Sequence, residues 1–179
     1  MTQIDKQQAT FAGGCFWCLV APFEQLEGVL SIVSGFAGGD VNNPSYEQVC
    51  TGTTGHVEAV QITYDANKLS YETLVNTFWQ QIDPTDAGGS FYDRGSHYMS
   101  AIFYHDKTQQ EIAEKSKQDL ENSGKFDAPI ATAIKAYTNF FPAEEFHQNY
   151  HKKNPDHYNA YRIGSGRDAF ILKVWGDGF

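Results

Sequence analysis

Cysteine is scarce: the 179 residues hold three, Cys15, Cys18 and Cys50. An odd count argues against a secreted scaffold framed by disulfides. Met1–Gln8 has no apolar core of the signal-peptide type, so a cytoplasmic protein is expected. No run of about 18 apolar residues occurs, so no membrane span is expected. Basic residues are few, 13 against 22 acidic, for a net charge of −9. That balance disfavours nucleic acid, whose affinity comes from Lys and Arg neutralising phosphates. Phosphate-cradling loops are missing; Gly35-Phe36-Ala37-Gly38-Gly39 lacks the dinucleotide-binding spacing. No second Cys-x-x-Cys completes a zinc site. Glu144, His147 and His151 have ligand-like helical spacing but no matching set, and no metal is expected.

Aromatics, by contrast, are abundant: 13 Phe, 10 Tyr and 3 Trp. They exceed what a small core needs and leave some for a pocket. Thr10-Phe11-Ala12, ended by Gly13-Gly14, has the pattern of a buried strand and a tight turn. Leu19, Phe23 and Leu26 recur at helical spacing, with Pro22 inside the window and Gly28 as a stop. Val29–Ala37 is a second strand, 38–55 a long Gly/Asn/Thr-rich loop, and Glu58–Tyr64 an alternating third strand. Ser70-Tyr71-Glu72-Thr73 looks like a capping box before a helix marked by Leu74, Val75, Phe78 and Ile82. His97–Tyr104 is strand four, Lys107–Asn122 a charged helix, Ile130–Phe140 strand five and Pro142–Tyr150 a short helix. The remaining residues show little period and are expected to wrap the surface. The order of the first six elements fits an α+β fold, the ferredoxin-like split β-α-β plan. One catalytic domain is expected over 1–179, with its core at about 9–155.

Cys15 stands where a strand meets a helix. Free N–H groups and the positive end of the dipole there stabilise an anion, so a lowered thiol pKa is expected. Cys18 follows at i+3, on the same helical face and close enough for a disulfide. A nucleophilic cysteine beside a resolving one can clear a sulfenic acid. Two inert, buried cysteines would leave the same pattern.

The stretch Gly14-Cys15-Phe16-Trp17 resembles the active-site motif of the peptide methionine sulfoxide reductase A family. Further blocks resemble that family in order: Pro44-Ser45-Tyr46-Glu47-Gln48-Val49-Cys50, Gly55-His56-Val57-Glu58-Ala59-Val60, Asp93-Arg94-Gly95-Ser96-His97-Tyr98 and Phe141-Pro142-Ala143-Glu144-Glu145-Phe146-His147. The resemblance spans about 9–155. It implies that Cys15 attacks the sulfur of the S epimer of methionine sulfoxide, free or in oxidised proteins. Glu58 would supply the proton, and strand alternation puts it on one face with Val60 and Ile62, where apolar surroundings raise a carboxyl pKa. Tyr46 and Tyr98 would donate to the sulfoxide oxygen, Phe16 and Trp17 would enclose the methyl group, and Asp93 would hold substrate or orient the pocket. Cys15 becomes a sulfenic acid and Cys18 closes a disulfide, which thioredoxin or another external dithiol reduces. No bound cofactor is implied, and a monomer is expected.

Many relatives carry resolving cysteines in a C-terminal tail; this tail has none, which favours Cys18 and makes Cys50 a bystander. His97 and Met99 stand where Gln and Arg are expected, leaving the outer polarity of the pocket open. Two other classes fit part of the pattern. A thioredoxin-like disulfide oxidoreductase shares the strand–turn–Cys-x-x-Cys–helix start, but not the Phe16-Trp17 pair. A noncatalytic module that binds the oxidised residue would bind without turnover.

Overall fold

The computed structural model describes residues 3–91 and 93–176. The expected surface tail therefore extends three residues beyond them. The elements are β1 (Lys6–Ala12), α1 (Trp17–Glu24), β2 (Val29–Ala37), α2 (Tyr46–Cys50), β3 (Val57–Asp65), α3 (Tyr71–Gln80), β4 (Gly89–Ser90), β5 (Asp93–Arg94), β6 (Ala101–Tyr104), α4 (Lys107–Asn122), β7 (Ala133–Ala136), β8 (Phe140–Pro142), α5 (Tyr150–Lys153), α6 (Pro155–Gly164) and α7 (Arg167–Trp175). Single 3₁₀ turns cover Ser96–Tyr98 and Glu145–His147.

Six strands form one mixed sheet in the order β7-β6-β1-β3-β2-β8. Its pairs are antiparallel except β6 with β7. Period-two alternation gives the sheet two apolar faces. Ala9, Phe11, Val60, Ile62 and Ile102 pack beneath α1 and α3, against Leu19, Phe23, Leu74 and Phe78. Ala12, Ala37, Ala59, Ala101 and Phe103 make a smaller cluster of their own. Small residues there leave the remaining cover to Tyr137 and Phe140. No described helix is long and apolar enough to cross a membrane.

Several sequence expectations change. The 38–55 loop contains α2, nucleated by a capping box in which Ser45 Oγ accepts from Gln48 N–H and Gln48 Oε1 accepts from Ser45 N–H. Ser70 caps α3 by accepting from Thr73 N–H, but the Thr73 hydroxyl pairs with Ser70 Oγ rather than with the Ser70 N–H, so no box closes. The segment around His97 turns as a 3₁₀ helix before β6 begins. Strand five is two short strands at the two ends of the sheet order, β7 on β6 and β8 on β2, joined by Tyr137-Thr138-Asn139. Pro142 ends β8 at the sheet edge rather than opening a helix, and an edge strand tolerates its missing N–H.

The largest correction concerns the C-terminus. It is helical, not irregular: α6 opens with Pro155 at its first turn, and α6 and α7 bury Tyr158, Arg167 and Ile171. Residues with charge and aromatic bulk, rather than a clean apolar stripe, face inward there, so the periodicity was hidden.

Candidate active site

The site begins at the end of β1. Gly14 has φ 81°, a left-handed conformation that glycine adopts without strain. A Cβ on Gly13 would lie 2.5 Å from Ile82 Cγ2. These two glycines turn the chain sharply and deliver Cys15 to the start of α1. Two carboxyl groups answer the backbone donors exposed there. Cys15 N–H donates to Asp93 Oδ2 at 3.1 Å, and Phe16 N–H donates to Glu58 Oε1 at 3.2 Å. Residues from β1, β3 and β5 are thus tied together around one sulfur.

This arrangement overturns the expected lowering of the Cys15 thiol. Burial pushes it well above the usual thiol range, with further pushes from Cys18 and from the carboxylates of Glu58 and Asp93. The helix-start donors that were expected to hold a thiolate are already spent on those carboxyl groups. Cys18 moves the other way, down to about 7, chiefly through its contact with Cys15 and then through Arg167 and Arg162, against the effect of burial. Both cysteines are reduced and buried, packed with Tyr158. Of the two, Cys18 is the cysteine whose surroundings favour the anion.

Glu58 lies on the face of β3 expected from its alternation with Val60 and Ile62, and it is 1% exposed. Burial raises its carboxyl well above the ordinary range, more than the Phe16 N–H lowers it. Among the described residues its Oε2 has no hydrogen-bond partner, so a protonated Glu58 has a free group to offer. Burial above all holds the phenol of Tyr98, beside Glu58 and Tyr46, in its neutral form. Tyr46, in the first turn of α2, is kept neutral chiefly by burial. Two neutral hydroxyl groups and one carboxyl pushed toward its protonated form therefore gather beside Cys15.

The apolar wall is aromatic. Phe16 is fully buried, with its ring 5.8 Å from Phe36 and 6.5 Å from Tyr46. Trp17 stacks on Tyr150 at 3.9 Å with planes 7° apart, and its indole N–H donates to His147 Nδ1 at 3.1 Å. That bond requires a neutral His147 with Nδ1 as acceptor, and burial lowers the His147 pKa. Asp93 is buried and accepts from Cys15 N–H and from the Tyr161 hydroxyl, with Arg167 Nη2 at 3.6 Å. It orients the cysteine turn.

Cys50 is nearer the chemistry than its loop-edge position implied. It is exposed, and its sulfur lies within 4.8 Å of a Glu58 carboxyl oxygen and a His97 ring nitrogen. His97 itself is buried against Tyr98, ring centroids 4.0 Å apart, while Met99 is exposed. His147 and His151 do not form a ligand group with Glu144 among the described residues.

Sequence reasoning missed His147 as a site residue, and with it Tyr150, Tyr161, Arg162 and Arg167. One signal was available: Pro22 has no N–H, so the Cys18 carbonyl four residues earlier lacks its helical donor. Arg162 Nη1 donates to that carbonyl at 2.9 Å.

The peptide methionine sulfoxide reductase family model matches residues 7–178. A peptide methionine sulfoxide reductase MsrA of Bacillus velezensis is 57% identical over 96% of this chain and 97% of its own length. One from Bacillus licheniformis is 56% identical over 96% and 94%. The crystal structure of reduced Mxr1 from Saccharomyces cerevisiae matches with TM-score 0.79 at 29% identity, covering 86% of this chain and 90% of that one. On these matches and the geometry around Cys15, the chain belongs to the peptide methionine sulfoxide reductase family and reduces methionine sulfoxide.

Proposed function

We propose that Cys15 is the nucleophile, Glu58 the proton donor and Cys18 the resolving cysteine in reduction of the S epimer of methionine sulfoxide. One observation carries this reading: Cys15 packs against Cys18, and the Phe16 N–H beside it is bonded to the buried carboxyl of Glu58, which burial pushes toward its protonated form. A sulfoxide sulfur is a weak electrophile until its oxygen takes a proton. Glu58 gives that proton while Tyr46 and Tyr98 donate to the same oxygen. Cys15 attacks, its own proton passes to the carboxylate that Glu58 has just become, and methionine leaves with Cys15 as a sulfenic acid. Cys18 then forms the Cys15–Cys18 disulfide and releases water. Phe16 and Trp17 enclose the methyl group, and Asp93 holds the Cys15 backbone for attack.

Thioredoxin is the proposed reductant, since a disulfide within Cys-x-x-Cys is opened by exchange with an external dithiol. The cycle requires no bound cofactor. Substrates are free methionine sulfoxide and oxidised proteins. Every site residue comes from this chain, which supports a monomer acting as a single catalytic domain. A disulfide that must be reopened by a dithiol in every cycle suits the reducing cytoplasm. The finer fold reading, a ferredoxin-like split β-α-β core extended by β7 and β8, is supported by the antiparallel order β6-β1-β3-β2.

The test is stereochemical. A mixture of the two sulfoxide epimers, incubated with dithiothreitol, should lose the S form and retain the R form on a chiral separation. Equal loss of both would refute the epimer assignment, and no methionine at all would refute the activity.

A further inference from the structure

We infer that Arg162 and Arg167, from the two C-terminal helices, are positioning residues that hold Cys18 ready for the resolving step. The inference rests on the reading of Cys18 as the resolving cysteine.

Pro22 sits inside α1 and has no N–H to give. The Cys18 carbonyl is therefore open, and Arg162 Nη1 fills it at 2.9 Å. The rest of the Arg162 fork is fixed too: Nη2 donates to Gln81 Oε1 at 2.9 Å and Nε donates to Asp168. Arg167 is fully buried. It donates to the carbonyls of Gln81 and of Gly13, the latter at 3.3 Å, and faces Asp93. Gln81 is the shared anchor, bonded by Arg162 through its side chain and by Arg167 through its carbonyl. Two guanidinium groups are thus fixed by the backbone that carries the cysteine pair. Aspartates offset part of their charge, and both still favour the Cys18 anion.

The chemistry needs that anion. The Cys18 thiolate gives an electron pair to the sulfenyl sulfur of Cys15. The S–S bond forms, the S–O bond breaks, and oxygen leaves as hydroxide, which takes up a proton to become water. Cys18 is oxidised and the Cys15 sulfur is reduced by the same step. A thiol would be a much poorer attacker. The C-terminal helices, which carry no cysteine, thus serve recycling by charge and by backbone anchoring.

The test is single-turnover quenched flow without reductant, reading methionine formed and free thiols lost, from pH 6 to pH 9. Arg162→Gln should slow loss of the second thiol about tenfold at pH 6, the effect of raising the Cys18 pKa by about one unit. The deficit should shrink toward pH 9, and dimedone should trap more sulfenic acid. Arg162→Lys, which retains the charge, should recover most of the rate at pH 6. An unchanged pH profile for the second step in Arg162→Gln would overturn the inference. So would an equal slowing of methionine formation and thiol loss at every pH, which marks a merely structural role. Failure of the unsubstituted enzyme to form methionine would instead strike the proposed activity and the inference together.

Discussion

The Phe16 backbone N–H donates to Glu58 Oε1 at 3.2 Å, binding the proposed acid to the residue that follows the nucleophile. Proton donor and attacking sulfur cannot drift apart without breaking that bond. Glu58→Gln keeps an acceptor and the shape but cannot give up a proton to the sulfoxide. We expect the first step to slow by about 10²–10⁴-fold, the usual contribution of general acid catalysis. Single-turnover methionine formation measures it. In the unsubstituted enzyme that step should weaken as pH rises through the raised Glu58 pKa, because only the protonated form acts. The Gln variant should lose this limb of the profile.

The same carboxyl affects stability. Burial raises the folded pKa of Glu58 above its unfolded value. Stability is then full below the unfolded pKa and falls as pH rises toward and through the folded pKa. Glu58→Gln should therefore melt higher than the unsubstituted protein at pH 8 and about equally at pH 4. Each kcal/mol recovered corresponds to about 2–4 °C in a chain of this size. Thermal melts at the two pH values check this; a lower melting temperature at pH 8 would contradict a buried, destabilising carboxyl.

In the proposed reaction Tyr46 and Tyr98 both donate to the sulfoxide oxygen. Removing one such donor costs about 10²–10³-fold in other oxyanion sites. Tyr98→Phe should approach that loss in kcat with little change in KM. Tyr98, unlike Tyr46, packs against the cluster of Cys15 and Cys18, so Tyr46→Phe should lose less. The double variant should lose less than the product of the two, since both serve the same atom. Steady-state kinetics with dithiothreitol as reductant measures all three.

Asp93 is buried opposite Arg167. Asp93→Asn keeps an acceptor for the Cys15 N–H but leaves the guanidinium without its counter-charge. Breaking such buried pairs typically costs about 3–5 kcal/mol. Urea denaturation should show a lower midpoint with an unchanged slope.

How much of this was legible in the sequence depended on which physics governed each segment. Alternation across Glu58–Tyr64 gave both the strand and the buried face of Glu58, because one face of a sheet is set by period two. The Gly13-Gly14 turn and the pairing of Cys15 with Cys18 were legible from local geometry. The direction of the Cys15 thiol was not. It depends on Asp93 and Glu58, 78 and 42 residues away in sequence, consuming the donors at the helix start. The C-terminal helices were hidden for a related reason. Their inward residues are Tyr158 and Arg167, whose partners on α1 and β5 no periodicity reveals. Cys50 likewise became a neighbour of Glu58 only once α2 folded beside β3.

The central claim is that Cys15 attacks and Cys18 resolves, and stoichiometry without reductant tests it most directly. With excess sulfoxide, the unsubstituted enzyme should form one methionine per chain and lose two thiols. Cys18→Ser should form the same single methionine but leave a dimedone-reactive sulfenic acid, and thioredoxin should not turn it over. Cys15→Ser should form none. Full thioredoxin-driven turnover by Cys18→Ser, or methionine formation by Cys15→Ser, would contradict the account.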